Sequence, residues 1–361
     1  MVRLRMPAAL LGLCAAVVAS VPGAADEPFY KGKRLTVLVN YAAGGPTDIE
    51  GRLLAKHIGR HIDGQPSIVV QNMDGAGGLV GTSYLGEIAP KDGSMMGYLT
   101  GAAWVYATEP DKHRVDFKSY EFIAYQPGTA VYYVRADAEP GMKDATDIVK
   151  AKGLISGGLA IDNAKDLLIR LTLDMLGVPY RHVTGYRSNA AARLALQRNE
   201  INFFSESPPG YRSVVEPSMV KTGQVIPLYY DPGYDGERLS VPKQVEGLTM
   251  PPFHELYRTI KGAMPSGQLW DVYLAGLTIN AAMQRLIVLP PRAPPAAVEA
   301  LRGAVQRLNA DAAFADDASK AMGFVPHYEA SPQTNKQVQQ ALTVRPEVRA
   351  FVADYIRSGR K

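Results

Sequence analysis

Leu35-Thr36-Val37-Leu38-Val39-Asn40 followed by Tyr41-Ala42-Ala43-Gly44-Gly45-Pro46-Thr47-Asp48 is the stretch that decides the fold, an apolar strand running into a glycine-rich turn that opens a helix. The same arrangement returns at Ile68 to Gln71, whose turn is Asn72-Met73-Asp74-Gly75-Ala76-Gly77-Gly78. Glycines leave backbone N–H groups uncovered, and the helix behind each turn directs its positive end at the same place. Each turn therefore reads as a cradle for a carboxylate or phosphate.

Outward from these turns the chain alternates strands and helices. Leu35 to Asn40 is continuously apolar, as in a parallel sheet covered on both faces. Thr47 and Glu50 have capping-box spacing, and Ile49, Leu53, Leu54, Ile58 and Ile62 recur at helical intervals as far as Asp63-Gly64. Leu79 to Ile88 reads as a second helix and Met95 to Thr100 as a third strand, ending at Gly101-Ala102-Ala103-Trp104. A second series follows Ala130 to Arg135. Its helices are expected over 144–151, 162–176 and 188–198, and its strands over 154–159, 180–184, 201–205 and 224–230. From Asp231 to Ala281 the pattern loosens, with two helices expected around 255–260 and 268–280. Arg285 to Leu289 is a strand crossing back, and Pro295 to Leu308 is a helix with proline in its first turn. The expected fold class is α/β: two α/β domains with a hinged cleft at the strands' carboxyl ends.

The first 25 residues have the layout of a signal peptide. Arg3 and Arg5 precede the apolar run Ala8 to Val21, and Gly23-Ala24-Ala25 is a small-residue cleavage site. Export to the periplasm and a mature chain starting near Asp26 are expected. Cys14, the single cysteine of 361 residues, lies in that segment, which leaves the mature chain without disulfides or cysteine metal sites. Of 39 Lys+Arg, 37 remain without Arg3 and Arg5 against 35 Asp+Glu. A balance of +2 argues against a nucleic-acid footprint. With 47% hydrophobic and 20% charged residues, the chain suits a globular protein burying roughly three quarters of its surface.

These motifs resemble those of the tripartite tricarboxylate transporter substrate-binding family, the Bug receptors. The family's strand, P-G-G-x-x-D, strand, N-x-x-G-A-G-G-x-x-G pattern has its counterparts in Ala43 to Asp48 and Asn72 to Gly81. Asp92-Gly93 resembles the D-G before the third strand. His182-Val183 with Tyr186-Arg187 and the helix from Ala190 resemble H-V-P-Y-K-G-G-A-P-A-L, and Glu200 to Phe204 resembles E-V-D-F-M-F. Pro290 to Leu308 resembles the return strand and helix. The likeness covers most of residues 30–229 and 283–325. Departures are Ala43 for the usual proline, Tyr41 where Phe is common, Thr184-Gly185 lengthening a turn, Ser188-Asn189 for a glycine pair, Glu206 for Asp, and the long 231–281 segment.

The resemblance implies a periplasmic binding protein-like α/β fold and a periplasmic receptor that is not an enzyme. It would capture a small organic acid and deliver it, through transient contact, to a membrane permease of one large and one small subunit. Domain 1 would comprise 26–131 plus 282–361 and domain 2 would comprise 132–281, in a monomer using no cofactor or metal and binding no nucleic acid. Backbone groups of Ala43, Gly44, Gly45, Ala76, Gly77 and Gly78 are expected to hold one carboxylate, with Tyr186, Ser188 and Asn189 reading the far end. Tyr41, Asp48, Asn72, Gly101, Trp104 and Glu206 complete the candidate ligand-binding set. Bland alternatives stand beside these: the glycines as tight-turn residues, Asp48 as a helix-start residue, Ser188 as a cap and Trp104 as core. Replacing Gly78 with Asp is expected to abolish binding without unfolding. An exported α/β enzyme acting on an organic acid and a receptor coupled to a membrane sensor are the alternative functions. Gly75 to Val80 misses the dinucleotide fingerprint, and no G-x-S-x-G elbow occurs. His57 and His61 are four apart on one helix, where the dipole favours them without any metal.

Overall fold

The computed structural model describes Val2 and residues 27–234, 236–281 and 283–358, so the expected signal peptide lies outside the described residues. Two five-stranded sheets organise the chain. The first has the order β2-β1-β3-β12-β4, with β1 Arg34–Val39, β2 Ser67–Asn72, β3 Met95–Leu99, β4 Glu121–Gln126 and β12 Arg285–Leu289. The second is ordered β7-β6-β8-β5-β9, with β5 Val131–Arg135, β6 Leu154–Gly157, β7 Tyr180–Val183, β8 Phe203–Glu206 and β9 Val225–Tyr230. A small hairpin, β10 Gly233–Tyr234 and β11 Leu239–Ser240, stands apart.

The expected parallel core is present: β1 lies between β2 and β3, parallel to both. The return strand β12 inserts antiparallel between β3 and β4, with the bounds read from the sequence. Each sheet carries helices, so the α/β class and the two-unit architecture hold. The long segment after β9 supplies the helices Phe253–Lys261 and Gln268–Gly276. The expected helix at 144–151 is present as a six-residue 3-10 helix, Ala145–Lys150, started by a capping box between Asp144 and Asp147.

One apolar core runs beneath both sheets, joining Leu99 and Trp104 to Leu167, Tyr229 and Trp270. The last helix, Pro346–Ser358, ties the two halves together: Arg349 Nε donates to Ala107 O, and Arg170 Nη2 donates to Tyr355 O. The chain crosses between sheets at 127–130 and again just before Arg285. Gln284 Nε2 donates to Thr129 O at 2.8 Å, binding these two crossings side by side.

Candidate functional site

Where the two halves meet there is a cavity of about 60 Å³, lined from both sides. Its walls are largely helix beginnings. Gly45 is the N-cap of the helix Pro46–Ile58, Asn163 that of Ala164–Leu176, and Ser188 that of Asn189–Gln197; all three line the cavity. Gly101 and Ser207, which open two shorter helical segments, line it as well. Strand ends feeding helix starts bring these caps together, and each leaves N–H groups of the first turn without intrahelical partners. Each of these helix ends therefore favours an anion in the cavity.

Several cap side chains serve the helices themselves. Asn163 Oδ1 accepts from Lys165 N at 2.9 Å, and Ser188 Oγ accepts from Ala191 N at 3.2 Å. Asn163 also reaches across the seam, donating from Nδ2 to Tyr41 Oη at 3.0 Å, while Tyr41 Oη donates to Gly77 O at 2.7 Å. Trp104 Nε1 donates to Asp162 O at 3.1 Å, and Lys112 pairs with Asp162. On the rim Arg187 grips Asp74 through Nε and Nη2 at 2.6 and 3.0 Å. The halves are thus in contact across the cleft.

Of the residues picked out from sequence, Tyr41, Gly45, Gly101, Ser188 and Asn189 lie around the cavity. The remainder are placed otherwise. Asp48 is buried behind the first turn, where it accepts from Gly44 N at 2.9 Å, from Asn72 Nδ2 at 2.9 Å and from Arg52 Nε. It is a brace that consumes one of the amides expected to be free, so the helix-start reading of Asp48 replaces ligand contact. Asn72 donates to Tyr41 O as well and belongs to the same brace. Ala43 and Gly44 are exposed and do not line the cavity.

The second turn lies off this cavity and spends part of its hydrogen-bonding capacity on itself. None of Ala76, Gly77 and Gly78 lines the cavity; Gly78 N is spent on Gly75 O at 3.0 Å, and what Gly77 presents to Tyr41 is a carbonyl. The turn's conformation is left-handed at Gly77 (φ 64°) and Gly78 (φ 96°), which explains the residue choice. A Cβ at Gly78 would come 2.5 Å from Asn40 Nδ2. That amide bonds Gly78 O and Thr100 O, so Gly78→Asp would break the fold's own latch, contrary to the expectation of intact folding. Trp104 is fully buried core. Tyr186 packs against the core of the second sheet, and Glu206 is sealed behind the wall, paired with Arg193 and accepting from Tyr133 Oη. Burial holds the Glu206 carboxyl above its ordinary range despite Arg193.

Three charged residues that sequence reasoning missed line the cavity: Lys165, Asp231 and Arg285. Lys165 Nζ donates to Asn189 Oδ1 at 2.9 Å and sits 3.7 Å over the Phe204 ring. Burial pulls its ammonium down to about 7, although Glu206 and Asp166 favour the charged form. Arg285 is 1% exposed, pairs with the equally buried Glu50, and donates from Nη1 to Thr100 Oγ1 at 3.0 Å; its Nη2 has no hydrogen-bond partner. This pairing also explains why the expected Thr47–Glu50 capping box does not form. Glu50 turns inward to the guanidinium, and the helix starts on Pro46 without a side-chain cap. Asp231, 2% exposed, accepts from Tyr132 Oη at 3.0 Å and Tyr273 Oη at 2.7 Å, and burial pushes its carboxyl up to about 7.

His57 and His61 face Asp317 and Asp311 on a neighbouring helix and its cap, at 2.7 and 2.6 Å. Among the described residues no group of three His, Cys, Asp or Glu side chains is placed to hold a metal ion. No described helix is long and apolar enough to cross a membrane.

No family model matches the chain. A UPF0065 protein from the TAR-I ttuE-ttuC' intergenic region of Agrobacterium vitis is 33% identical over 180 residues, 47% of this chain and 50% of the relative. The chain spans about half the length of the curated relatives it matches. Among solved structures, the periplasmic binding protein BugD is similar over 90% of this chain and 98% of its own, with a TM-score of 0.66 and 20% identity. MatC from Rhodopseudomonas palustris with bound malate aligns over 89% of this chain and 99% of its own, at a TM-score of 0.62 and 18% identity. The fold is therefore that of the Bug-type periplasmic binding proteins, as the glycine motifs implied.

Proposed function

We propose that this chain is an extracytoplasmic solute-binding receptor that closes around a small organic acid in the cleft between its two halves. The observation that carries this reading is the convergence of three long-helix N-caps, Gly45, Asn163 and Ser188, on one cavity that Lys165 and Arg285 also line. A helix end contributes roughly 0.3 to 2 kcal/mol toward an anion, so three supply about 1 to 6. Micromolar affinity needs about 8 kcal/mol. The balance comes from charge-assisted hydrogen bonds of Lys165 and Arg285 and from withdrawing the ligand from water as the halves meet.

The volume limits the ligand. A cavity of about 60 Å³ suits a small acid better than a bulky one. The halves correspond in this reading to residues 26–131 plus 282–361 and residues 132–281, hinged at the crossings near Thr129 and Gln284. A cleavable leader directing the chain to the periplasm, monomeric action and delivery to a two-subunit permease complete it.

Thermal-shift and calorimetric titration against mono-, di- and tricarboxylates test the reading. Ligand at a hundred times its dissociation constant stabilises by about 2.7 kcal/mol. Failure of every small carboxylate to stabilise the protein, or chemical turnover of one that binds, overturns it.

A further inference from the structure

We propose that the captured acid carries an ammonium group, its nitrogen held by Asp231 and its carboxylate by Arg285 and Lys165. The inference rests on the receptor reading above and narrows its ligand from organic acids in general to amino-carboxylates. Its basis is an inventory of charge around the cavity. Glu50 is neutralised by Arg285, Glu206 by Arg193, and Asp166 meets His182 Nε2 at 3.1 Å. Lys165 stands near Glu206 and Asp166. Asp231 is the exception. Among the described residues no Lys, Arg or His forms an ion pair with it, and its two oxygens are served only by the neutral hydroxyls of Tyr132 and Tyr273.

A carboxylate offers about four acceptor positions, and two tyrosines fill two. The remaining capacity lies beside a cavity, in a carboxylate with no cationic partner, which is costly to bury unless it takes up a proton or a cation arrives. The opposite deficit sits in the same wall: Arg285 Nη2 is a buried donor with no acceptor. One group lacks a positive partner and another lacks an acceptor. A zwitterion satisfies both, whereas a plain dicarboxylate would set its second carboxylate against Asp231.

The two groups also flank the crossings between halves. Thr129 Oγ1 bonds the backbone carbonyl of Asp231, Gln284 Nε2 bonds Thr129 O, and Gln284 precedes Arg285. A ligand spanning Asp231 and Arg285 would therefore bridge the segments about which the halves turn, so that the charges defining its class also report its arrival.

The test is calorimetric titration of two matched series differing at one carbon: alanine, lactate and propionate, and 2-aminobutanedioate, malate and succinate. Within a series only –NH3+, –OH or –H changes. The proposal expects the amino member to bind at least tenfold tighter than its hydroxy and unsubstituted counterparts in one series or both. Asp231→Asn should reduce that preference to within about threefold while leaving the hydroxy and unsubstituted members unchanged or tighter. Lactate, malate, propionate or succinate binding as well as its amino counterpart in the wild-type protein overturns the proposal and leaves the receptor reading intact. Should no member of either series bind, both fall for ligands of this size. The wild-type ranking decides the matter even where Asp231→Asn fails to fold, and a preference that survives a folded Asp231→Asn variant removes Asp231 from the site.

Discussion

Gly77→Ala separates two explanations of the glycine turns, free amides or close approach of the facing half. Gly77 has φ 64°, and a Cβ built there lies 2.9 Å from the Cβ of Ala160, which follows β6 across the cleft. Carbon atoms prefer about 3.5–4.0 Å, so the contact is at least roughly 0.6 Å too short. Overpacking of this kind costs about 1–3 kcal/mol. The left-handed backbone adds about 1–2 kcal/mol for any residue with a Cβ. Gly153 isolates the second cost, because it has φ 61° and nothing within 4 Å of its would-be Cβ. Both variants should lose similar stability without ligand, by urea denaturation, if the halves part freely. Only Gly77→Ala should lose affinity, by about 5- to 150-fold at 1.4 kcal/mol per decade, in calorimetric titration with the best-binding carboxylate. Wild-type affinity in Gly77→Ala, or an equal loss in Gly153→Ala, would refute the claim that this glycine exists for closure.

Other perturbations have equally definite outcomes. Burial holds the Asp231 carboxyl near 7 against an ordinary 3.8; an acid raised on folding stabilises fully below its unfolded value, and that contribution is lost as pH rises through about 7. Wild type should therefore lose up to about 4 kcal/mol relative to Asp231→Asn between pH 4 and pH 8, read from urea midpoints, at 1.36 kcal/mol per unit; a pH-independent difference contradicts this. Lys165, faced by Glu206, Asp166 and Arg193, titrates near 7 when the cleft is empty. Carboxylate affinity should decline above that pH by at most about tenfold per unit, and Lys165→Met should bind more weakly with this decline abolished. Affinity that stays level to pH 9 in the wild type removes the lysine from the ligand. Arg187 is 77% exposed, so its bridge to Asp74 is worth about 0.2–1 kcal/mol. Arg187→Ala should weaken binding by no more than about fivefold, an effect that shrinks in high salt, and a loss beyond thirtyfold would show that the rim pair does more than steer closure.

The strand–turn–helix units were legible because their signals are local. An apolar run, a glycine requirement at positive φ and a helical period all lie within some fifteen residues. The charged lining was not legible, since Lys165, Asp231 and Arg285 come from a helix start, the end of β9 and the start of β12, brought together only by the topology. The misplaced residues fail for the same reason. Thr47 and Glu50 have the spacing of a cap, and nothing nearby reveals that Arg285, 235 positions away, claims the carboxylate. Asp48 beside an anion site is puzzling until Asn72 and Arg52 are seen to close around it. The sequence locates the turns; which turn surrenders its amides to its own backbone is a tertiary question.

Those corrections change what the glycines explain. Gly44 N is occupied by Asp48 and Gly78 N by Gly75 O, so at these two positions bareness does not free a donor. A Cβ at Gly44 would touch Ala190, one at Gly45 would touch Ser188 and Asn189, and one at Gly77 would strike Ala160, all on the opposite half. Small residues on both jaws let the helix caps approach closely enough for Gly45, Asn163 and Ser188 to share one cavity. Once they do, the paired charges behind the wall cancel, and selectivity falls to whatever is left uncompensated: three helix ends and Lys165 favouring an anion, and Asp231 requiring a proton or a cation. Under the amino-carboxylate proposal Asp231 sets which acid is preferred, so exchanging that residue should alter which acid enters while leaving the closing of the jaws unchanged.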